Sequence, residues 1–435
     1  MKRVLIANRG EIALRILRAC KVRGIESVVV YTKADRDLGY LHLADRQVCI
    51  GTNSYLESDQ LLAAALAWQC DAIHPGYGFL SESADFAAQA ESSGLIFIGP
   101  ASVSIREMAD KSAARLSMAD AGMSVLQGSR ELMDEEQAVA AAAQLGYPLM
   151  LKACHGGGGR GMAVVEDESR LRSQFETMQQ EAAAFFGHGS LYLERYLAAP
   201  RHIEIQVAGD GQGTVLHLGA RECSIQRRHQ KVLEEAPPPD LAGEQIEQLG
   251  ALCCRVLGSL GYRSLGTLEF LWQDDCFFFM EMNTRIQVEH PVTEAVTGID
   301  LVGLQLEIAE TSRLPFSQAD IRCSGHAIEC RINAEDREFR PAPGVVDRLR
   351  IPGGPGIRFD THLYEGYRVA HHYDAMVGKL VASGNCREEA VARMRAALEE
   401  LDLGGLVTNL SLHRDIMEDQ RFIEGNYHTG FLEAF

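Results

Sequence analysis

No two cysteines in this 435-residue chain have the CxxC spacing, and none stands with histidine at a zinc-ligand interval. The eleven cysteines include the adjacent Cys253 and Cys254, and their number is odd. They read as reduced, mostly buried thiols, which excludes a disulfide scaffold or a structural zinc site. Basic residues are outnumbered: 42 Lys and Arg face 60 Asp and Glu, leaving a formal charge of -18. A chain so acidic is repelled by nucleic acid and by anionic membranes, so neither is an expected partner. An acidic protein that binds anions must gather its few cations locally. Long apolar runs are missing too; none nears the roughly 18 residues of a membrane span. The opening MKRVLIANRGE is too polar by Asn8 and Arg9 for a secretion signal, and the expected location is the cytoplasm. There is no GxxxxGK[ST] phosphate loop, no repeat, and no low-complexity tract beyond Pro237–Pro239.

What is present reads as a globular protein of two or three domains, with 46% hydrophobic and 23% charged residues. Residues 3–31 spell strand, helix, strand, and further alternation to about residue 100 implies a doubly wound parallel sheet over 1–104. A helical connector containing Lys111 covers 105–123. A smaller α/β unit covers 124–196, where the strand YPLMLKA enters a glycine loop and passes straight into GMAVVE. From 197 to 435 longer antiparallel strands appear (HIEIQVAGD, TVLHLGARECS, GTLEFLW, FFFMEMN), implying an α+β part with mixed sheets.

Four stretches carry chemistry. HGGGGRGM holds a GxGxxG match at Gly156, Gly158 and Gly161, but it leads into a strand rather than a helix, which argues against a dinucleotide fingerprint. Bare N–H groups on a hairpin tip can instead close over phosphate, with Lys152 on the entering strand and Arg160 within the loop. GTLEFLWQDDCFFFMEMN reads as a hairpin; a three-residue loop at 274–276 sets Glu269 opposite Glu281. Facing carboxylates need a cation between them, most simply Mg²⁺, and Asn283 adds a neutral oxygen on the same face. In EMNTRIQVEH, read as one strand, Arg285, Gln287 and Glu289 continue that face at about 7 Å intervals. Arg285 offers a planar fork for a small oxyanion, with Glu289 in reach as general base. Finally, in IQRRHQK, Arg227, His229 and Lys231 share a face if the segment is extended, forming a local positive patch.

Together these residues resemble the biotin carboxylases of the ATP-grasp superfamily. The resemblance runs almost the full length, through IANRGEIALRILRAC (6–20), IHPGYGFLSE (73–82), GGGGRGM (156–162), PRHIEIQV (200–207), CSIQRRHQK (223–231), EMNTRIQVEHPVTE (281–294), HAIECRINAED (326–336) and YDAMVGKL (373–380). It implies an ATP-grasp fold: the N-terminal parallel-sheet domain, a glycine-loop lid, and the core with a carboxylase C-terminal domain. It implies that Lys111, Lys152, Gly158 and Gly159 bind ATP phosphates, Glu194 and Leu197 the adenine end, and His202 and His229 other parts of the nucleotide. Glu269, Glu281 and Asn283 would carry magnesium or manganese. Lys231, Arg285 and Val288 would surround bicarbonate, with Glu289 its base. Arg331 would stabilise the biotin enolate, and Tyr77 would lie near the biotin ring. The implied chemistry is ATP-dependent formation of carboxyphosphate, its breakdown to CO₂ and phosphate, and capture of CO₂ by biotin.

The sequence departs from the pattern at Ala220, where relatives carry an acid, and the loss is expected to weaken support for the neighbouring basic run. Arg195 replaces a common lysine, and His155 stands at a variable position. The biotinyl-lysine motif AMKM is missing, so biotin is expected on a separate carrier protein. Carboxyltransferase subunits of an acetyl-CoA or acyl-CoA carboxylase serving fatty acid biosynthesis would be partners, and the chain itself a homodimer. Two competing readings are another ATP-grasp carboxylate–amine ligase and a catalytically silent nucleotide-binding scaffold. The Arg285–Glu289 spacing and the Arg331 motif speak against the first, and intact acids against the second.

Overall fold

In the computed structural model, which describes residues 1–51, 54–155 and 161–435, the chain builds three principal sheets around one cleft. The first contains β1 (Arg3–Ile6), β2 (Glu26–Tyr31), β3 (Arg46–Cys49), β4 (Ala72–His74) and β5 (Ile96–Phe97). All pairs are parallel, in the order β3-β2-β1-β4-β5. The strands are short apolar runs because both faces are covered: Leu5, Val28 and Val30 pack on one side, Val4, Ile6 and Val29 on the other. The order reverses at β1, so residues just after β1 and β4, Asn8–Glu11 and Tyr77, open onto the crevice.

The lid sheet is β6 (Leu149–Ala153), β7 (Met162–Val165) and β8 (Leu191–Arg195), antiparallel in the order β7-β6-β8. The glycine loop lies between β6 and β7; Gly156, Gly158, Gly159 and Arg160 fall outside the described residues.

The third sheet has eight strands in the order β13-β12-β9-β10-β11-β14-β17-β16. Its members are β9 (Arg201–Asp210), β10 (Val215–Arg227), β11 (Gln230–Ala236), β12 (Arg263–Gln273), β13 (Cys276–Asn283), β14 (His326–Asn333), β16 (Ile357–Thr361) and β17 (Met376–Gly384); a separate ribbon joins β15 (Arg348–Arg350) to β18 (Asp402–Gly404). The large sheet is antiparallel from edge to edge, where the sequence pattern suggests mixed sheets. The β11–β14 ladder makes it one continuous surface, so residues more than a hundred positions apart share a face.

All eleven cysteines are free, with Cys20, Cys70, Cys154, Cys223, Cys253 and Cys330 buried. Among the described residues no helix is long and apolar enough to cross a membrane.

Candidate functional site

The acidic hairpin forms, but by a different route from the one its sequence suggests. The turn has two residues: Asp274 and Asp275 both take left-handed backbone, φ 52° and 58°, and Gln273 pairs with Cys276. That is the twist a two-residue hairpin needs, and aspartate tolerates it. Carried on regularly, this register would set Glu269 opposite Met280 and send Glu281 to the other face. A β-bulge intervenes; Phe270 pairs with Phe279, and Glu269 with Glu281. The extra residue restores the facing carboxylates.

The polar row runs across the sheet rather than along one strand. Glu281 on β13, Glu269 on β12, Glu204 on β9 and Arg221 on β10 are direct neighbours in register. Three carboxylates on adjacent strands need cations, and each has one. Lys111 Nζ lies 2.5 Å from Glu281 Oε2. Lys231 Nζ donates to Glu269 at 2.9 Å, to Glu289 at 2.7 Å, and also to Glu204. Arg221, fully buried, donates to Glu204 at 2.9 Å, Gln206 at 2.7 Å, Thr267 and Thr293 at 3.0 Å, and Gln287 at 2.8 Å. The acid lacking at position 220 removes nothing from this network. Ala220 points to the opposite face, in the apolar cluster with Ile203 and Ile205, and Arg221 takes its charge partner from Glu204.

Beyond Asn283 the strand reading of EMNTRIQVEH fails. β13 ends there although β12 runs on to Arg263; the Gly266 carbonyl, next along β12, accepts from Gln206 Nε2 at 2.9 Å. Residues 284–289 bend back as a loop, and Glu289 sits at the start of the helix His290–Thr297. The fold-back still delivers the side chains. Gln287 Nε2 donates to Glu269 Oε1 at 2.7 Å. Arg285 donates to Asn283 Oδ1 at 2.8 Å and to Glu82, from the N-terminal sheet region, at 3.0 Å. The basic run is likewise a hairpin tip, not an extended face: β10 turns into β11 at Arg228 and His229, φ 48° and 62°. Two successive non-glycine residues held in that region store strain beside the cleft. Arg227 lies over the Phe339 ring, 4.8 Å from its centroid, while Lys231 reaches inward.

Glu289 joins the two ends of the site. Lys231 holds one oxygen and Arg331 Nη2, at 2.9 Å, the other; Arg331 Nε also donates to Glu234 at 2.6 Å. Burial pushes the Glu289 carboxyl up, but Lys231, Arg331 and Arg221 outweigh it and hold it well below the ordinary carboxylate range. Glu269 is held low in the same way, burial being overcome by Lys231 and His202. Glu234 goes the other way, pushed up to about 7 by burial against the pull of Arg331.

The remaining predicted residues line the same cleft, of about 1370 Å³. Lys152 Nζ donates to the buried Glu194 at 2.6 Å, tying β6 to β8. Leu197 and His229 lie on the wall, and His202 Nε2 stands 3.0 Å from Glu269 Oε2. Tyr77 donates its hydroxyl to Glu11, and the Val288 carbonyl accepts from Lys379 at 2.8 Å. Glu269, Glu281 and Asn283 offer hard oxygens, the donor class that magnesium or manganese takes. A second group, His202, Glu204 and Glu269, also converges, but the Lys231 ammonium already stands against its two carboxylates.

Sequence reasoning missed Glu204, Arg221, Glu82 and Glu234. A signal existed for the first: Glu204 stands between His202 and Gln206 on the polar face of the alternating strand HIEIQV, a row without lysine or serine filler.

Comparison with known proteins matches residues 1–105 to the biotin carboxylase N-terminal domain, 110–317 to the carbamoyl-phosphate synthase L chain ATP-binding domain, and 329–434 to the biotin carboxylase C-terminal domain. The chain is 51% identical to the biotin carboxylase of Pseudomonas aeruginosa, covering all of this chain and 98% of that one. Two solved structures superpose on the whole chain with TM-scores of 0.98. One is a Campylobacter jejuni biotin carboxylase in complex with β,γ-ATP, 44% identical and 99% covered. The other is the biotin carboxylase domain dimer of a Hydrogenobacter thermophilus 2-oxoglutarate carboxylase with MgADP, ADP and bicarbonate, 45% identical and 97% covered.

Proposed function

The chain belongs to the biotin carboxylase family and is an ATP-dependent carboxylase; from that premise we infer which of its side chains carry out each step. ATP would lie along the lid, its phosphates met by Lys111 and Lys152 and by the glycine loop, with Glu194, Leu197, His202 and His229 along its length. Glu269, Glu281 and Asn283 would hold magnesium or manganese, which when bound neutralises phosphate charge and makes the γ-phosphorus more electrophilic. Arg285, Lys231 and the Val288 backbone would hold bicarbonate, and Arg331 and Tyr77 the biotin ring.

The observation that carries this reading is the continuity of the charge line. Lys231 touches both Glu269 at the metal end and Glu289 at the carboxylation end, and Arg331 continues from Glu289. It also explains how a carboxylate held so acidic can act as a base. An incoming bicarbonate competes for Lys231 and Arg331; as they turn to the anion, Glu289 loses the charges that depress it and becomes basic enough to take the proton. The freed oxygen would then attack the γ-phosphorus, expelling ADP and giving carboxyphosphate, which breaks to CO₂ and phosphate. In the second half, that phosphate would take the ureido proton of biotin, Arg331 would stabilise the charge left on the ureido oxygen, and the nitrogen would capture CO₂.

The carrier of biotin is inferred to be a separate protein, with carboxyltransferase subunits downstream, and the chain a homodimer, as the Hydrogenobacter relative is described. The test is ATP cleavage by the purified protein. It should require bicarbonate and rise with free biotin; cleavage indifferent to both would refute the reading.

A further inference from the structure

Two of the sequence words find no use in this scheme, IANRGE at 6–11 and YDAMVGKL at 373–380. They meet at one buried ion pair. Lys379 on β17 is among the largest fully buried side chains, at 0% exposure. It stands directly across from Arg331 on β14 and from Asp360 on β16. Its ammonium donates to the Val288 carbonyl at 2.8 Å and lies 3.2 Å from Glu11 Oε1. Glu11 opens the helix Gly10–Val22 and also accepts the Tyr77 hydroxyl. The ammonium is 5.9 Å from the centroid of the Tyr77 ring, whose backbone carbonyl is fixed by Asn8 Nδ2 at 2.8 Å.

A lysine stripped of water is retained only where the protein replaces its hydration. Here the replacements are groups that belong to the site. Val288 precedes the base Glu289 in a loop that has no strand partner, and Tyr77 comes from the other side of the cleft. Glu329, on the same face of β14, makes no hydrogen bond to the ammonium: among the described residues both its oxygens lack a partner, and burial raises its carboxyl well above the usual carboxylate range although the charge of Lys379 opposes this.

We propose that Lys379 and Glu11 are positioning residues of the carboxylation centre: Lys379 fixes the Val288 carbonyl beside Glu289 and, through Glu11, the Tyr77 ring. The proposal rests on the assignment of bicarbonate to Val288 and of biotin to Tyr77. A misplacement of an ångström in a reacting group lowers a rate by about 100-fold, so the pair acts on catalysis without touching substrate.

The test is steady-state kinetics on wild type, Glu11→Gln, and the double variant Glu11→Gln/Lys379→Met, which leaves no unpaired charge at the pair and so protects folding. Glu11→Gln, in which Lys379 still holds Val288, raises KM for free biotin more than KM for bicarbonate. The double variant lowers kcat/KM for bicarbonate by about 100-fold, while ATP affinity and Tm stay near wild type. Unchanged kinetics would overturn the proposal, as would a uniform fall in ATP, bicarbonate and biotin parameters together with Tm, the mark of a purely structural pair. A wild-type protein lacking bicarbonate-dependent ATP cleavage would instead overturn the functional reading beneath it, and the proposal with it.

Discussion

Glu289 has both oxygens held by cations in the structure, Lys231 and Arg331, and the proposed mechanism has both turn to the substrate when it arrives. Replacing it with glutamine keeps the shape and removes the proposed base. Glu289→Gln should therefore cut bicarbonate-dependent ATP cleavage by about 10²- to 10⁴-fold while ATP still binds, which equilibrium binding of a non-hydrolysable analogue would check. Arg285 is a second sensitive point because its planar fork is already oriented by Glu82 and Asn283. Lysine keeps the charge but not the fork. Arg285→Lys should raise KM for bicarbonate by roughly 10-fold or more, the worth of one charge-assisted hydrogen bond, with KM for ATP little changed. Arg221 differs from both: among the described residues it bonds only buried side chains of the protein, so its removal should act on stability. Arg221→Met leaves Glu204 short of a partner at zero exposure and should lower unfolding free energy by about 3–5 kcal/mol, measurable by denaturant titration.

At the scale of elements, the kinds of structure were legible and their lengths were not. The hairpin at Asp274–Asp275 could be read from the turn residues between two apolar runs, but not the two-residue turn, nor the bulge that compensates for it. The sequence reading reached the right facing pair, Glu269 and Glu281, with a wrong loop, because one extra residue in the turn and one in the strand shift register equally. EMNTRIQVEH misled for a different reason. Its alternation persists past Asn283, but alternation cannot say where the chain leaves the sheet. Nor could any single strand reveal that Glu204 lies beside Glu269, a relation set by the β9–β12 register.

One element also carries a pH signature. On β11, Glu235 is bound by His326, Arg387 and Tyr427, fastening the sheet to the C-terminal segments. Burial pushes its carboxyl up, but the bond to His326 and the charge of Arg387 outweigh it and bring it down to about 2 from the ordinary 4.5. The unfolded chain therefore binds more protons between those values. The contribution of Glu235 is fully present above about pH 4.5, is lost as pH falls towards 2, and is on the order of 3 kcal/mol. Stability curves of wild type and Glu235→Gln should thus lie apart at pH 7 and converge near pH 2. A constant gap would show that the ion pairs contribute nothing.

On the scale of the whole molecule, the eight-stranded sheet is what makes one site from distant parts. Its β13–β12–β9–β10 half presents the acidic row, and its β11–β14–β17 half presents Lys231, Arg331 and Lys379. The N-terminal parallel sheet closes the cleft with Glu11, Tyr77 and Glu82, each held to a residue of the large sheet or its following loop. The chain as a whole carries a charge of -18, yet Lys111, Lys152, Lys231, Arg285 and Arg331 all line the one cleft. That concentration was foreseeable from composition; its address was not, since it depends on contacts between residues far apart in the chain.

If Glu289 takes the bicarbonate proton as proposed, one bicarbonate oxygen becomes bonded to the γ-phosphorus of ATP and ADP leaves. The most direct measurement follows ¹⁸O from labelled bicarbonate during turnover with biotin, read in the released phosphate by mass spectrometry before bicarbonate exchanges with water. One labelled oxygen is expected in each phosphate released, beside three from ATP. Unlabelled phosphate, its fourth oxygen taken from solvent, with ATP cleaved at the same rate, would contradict this.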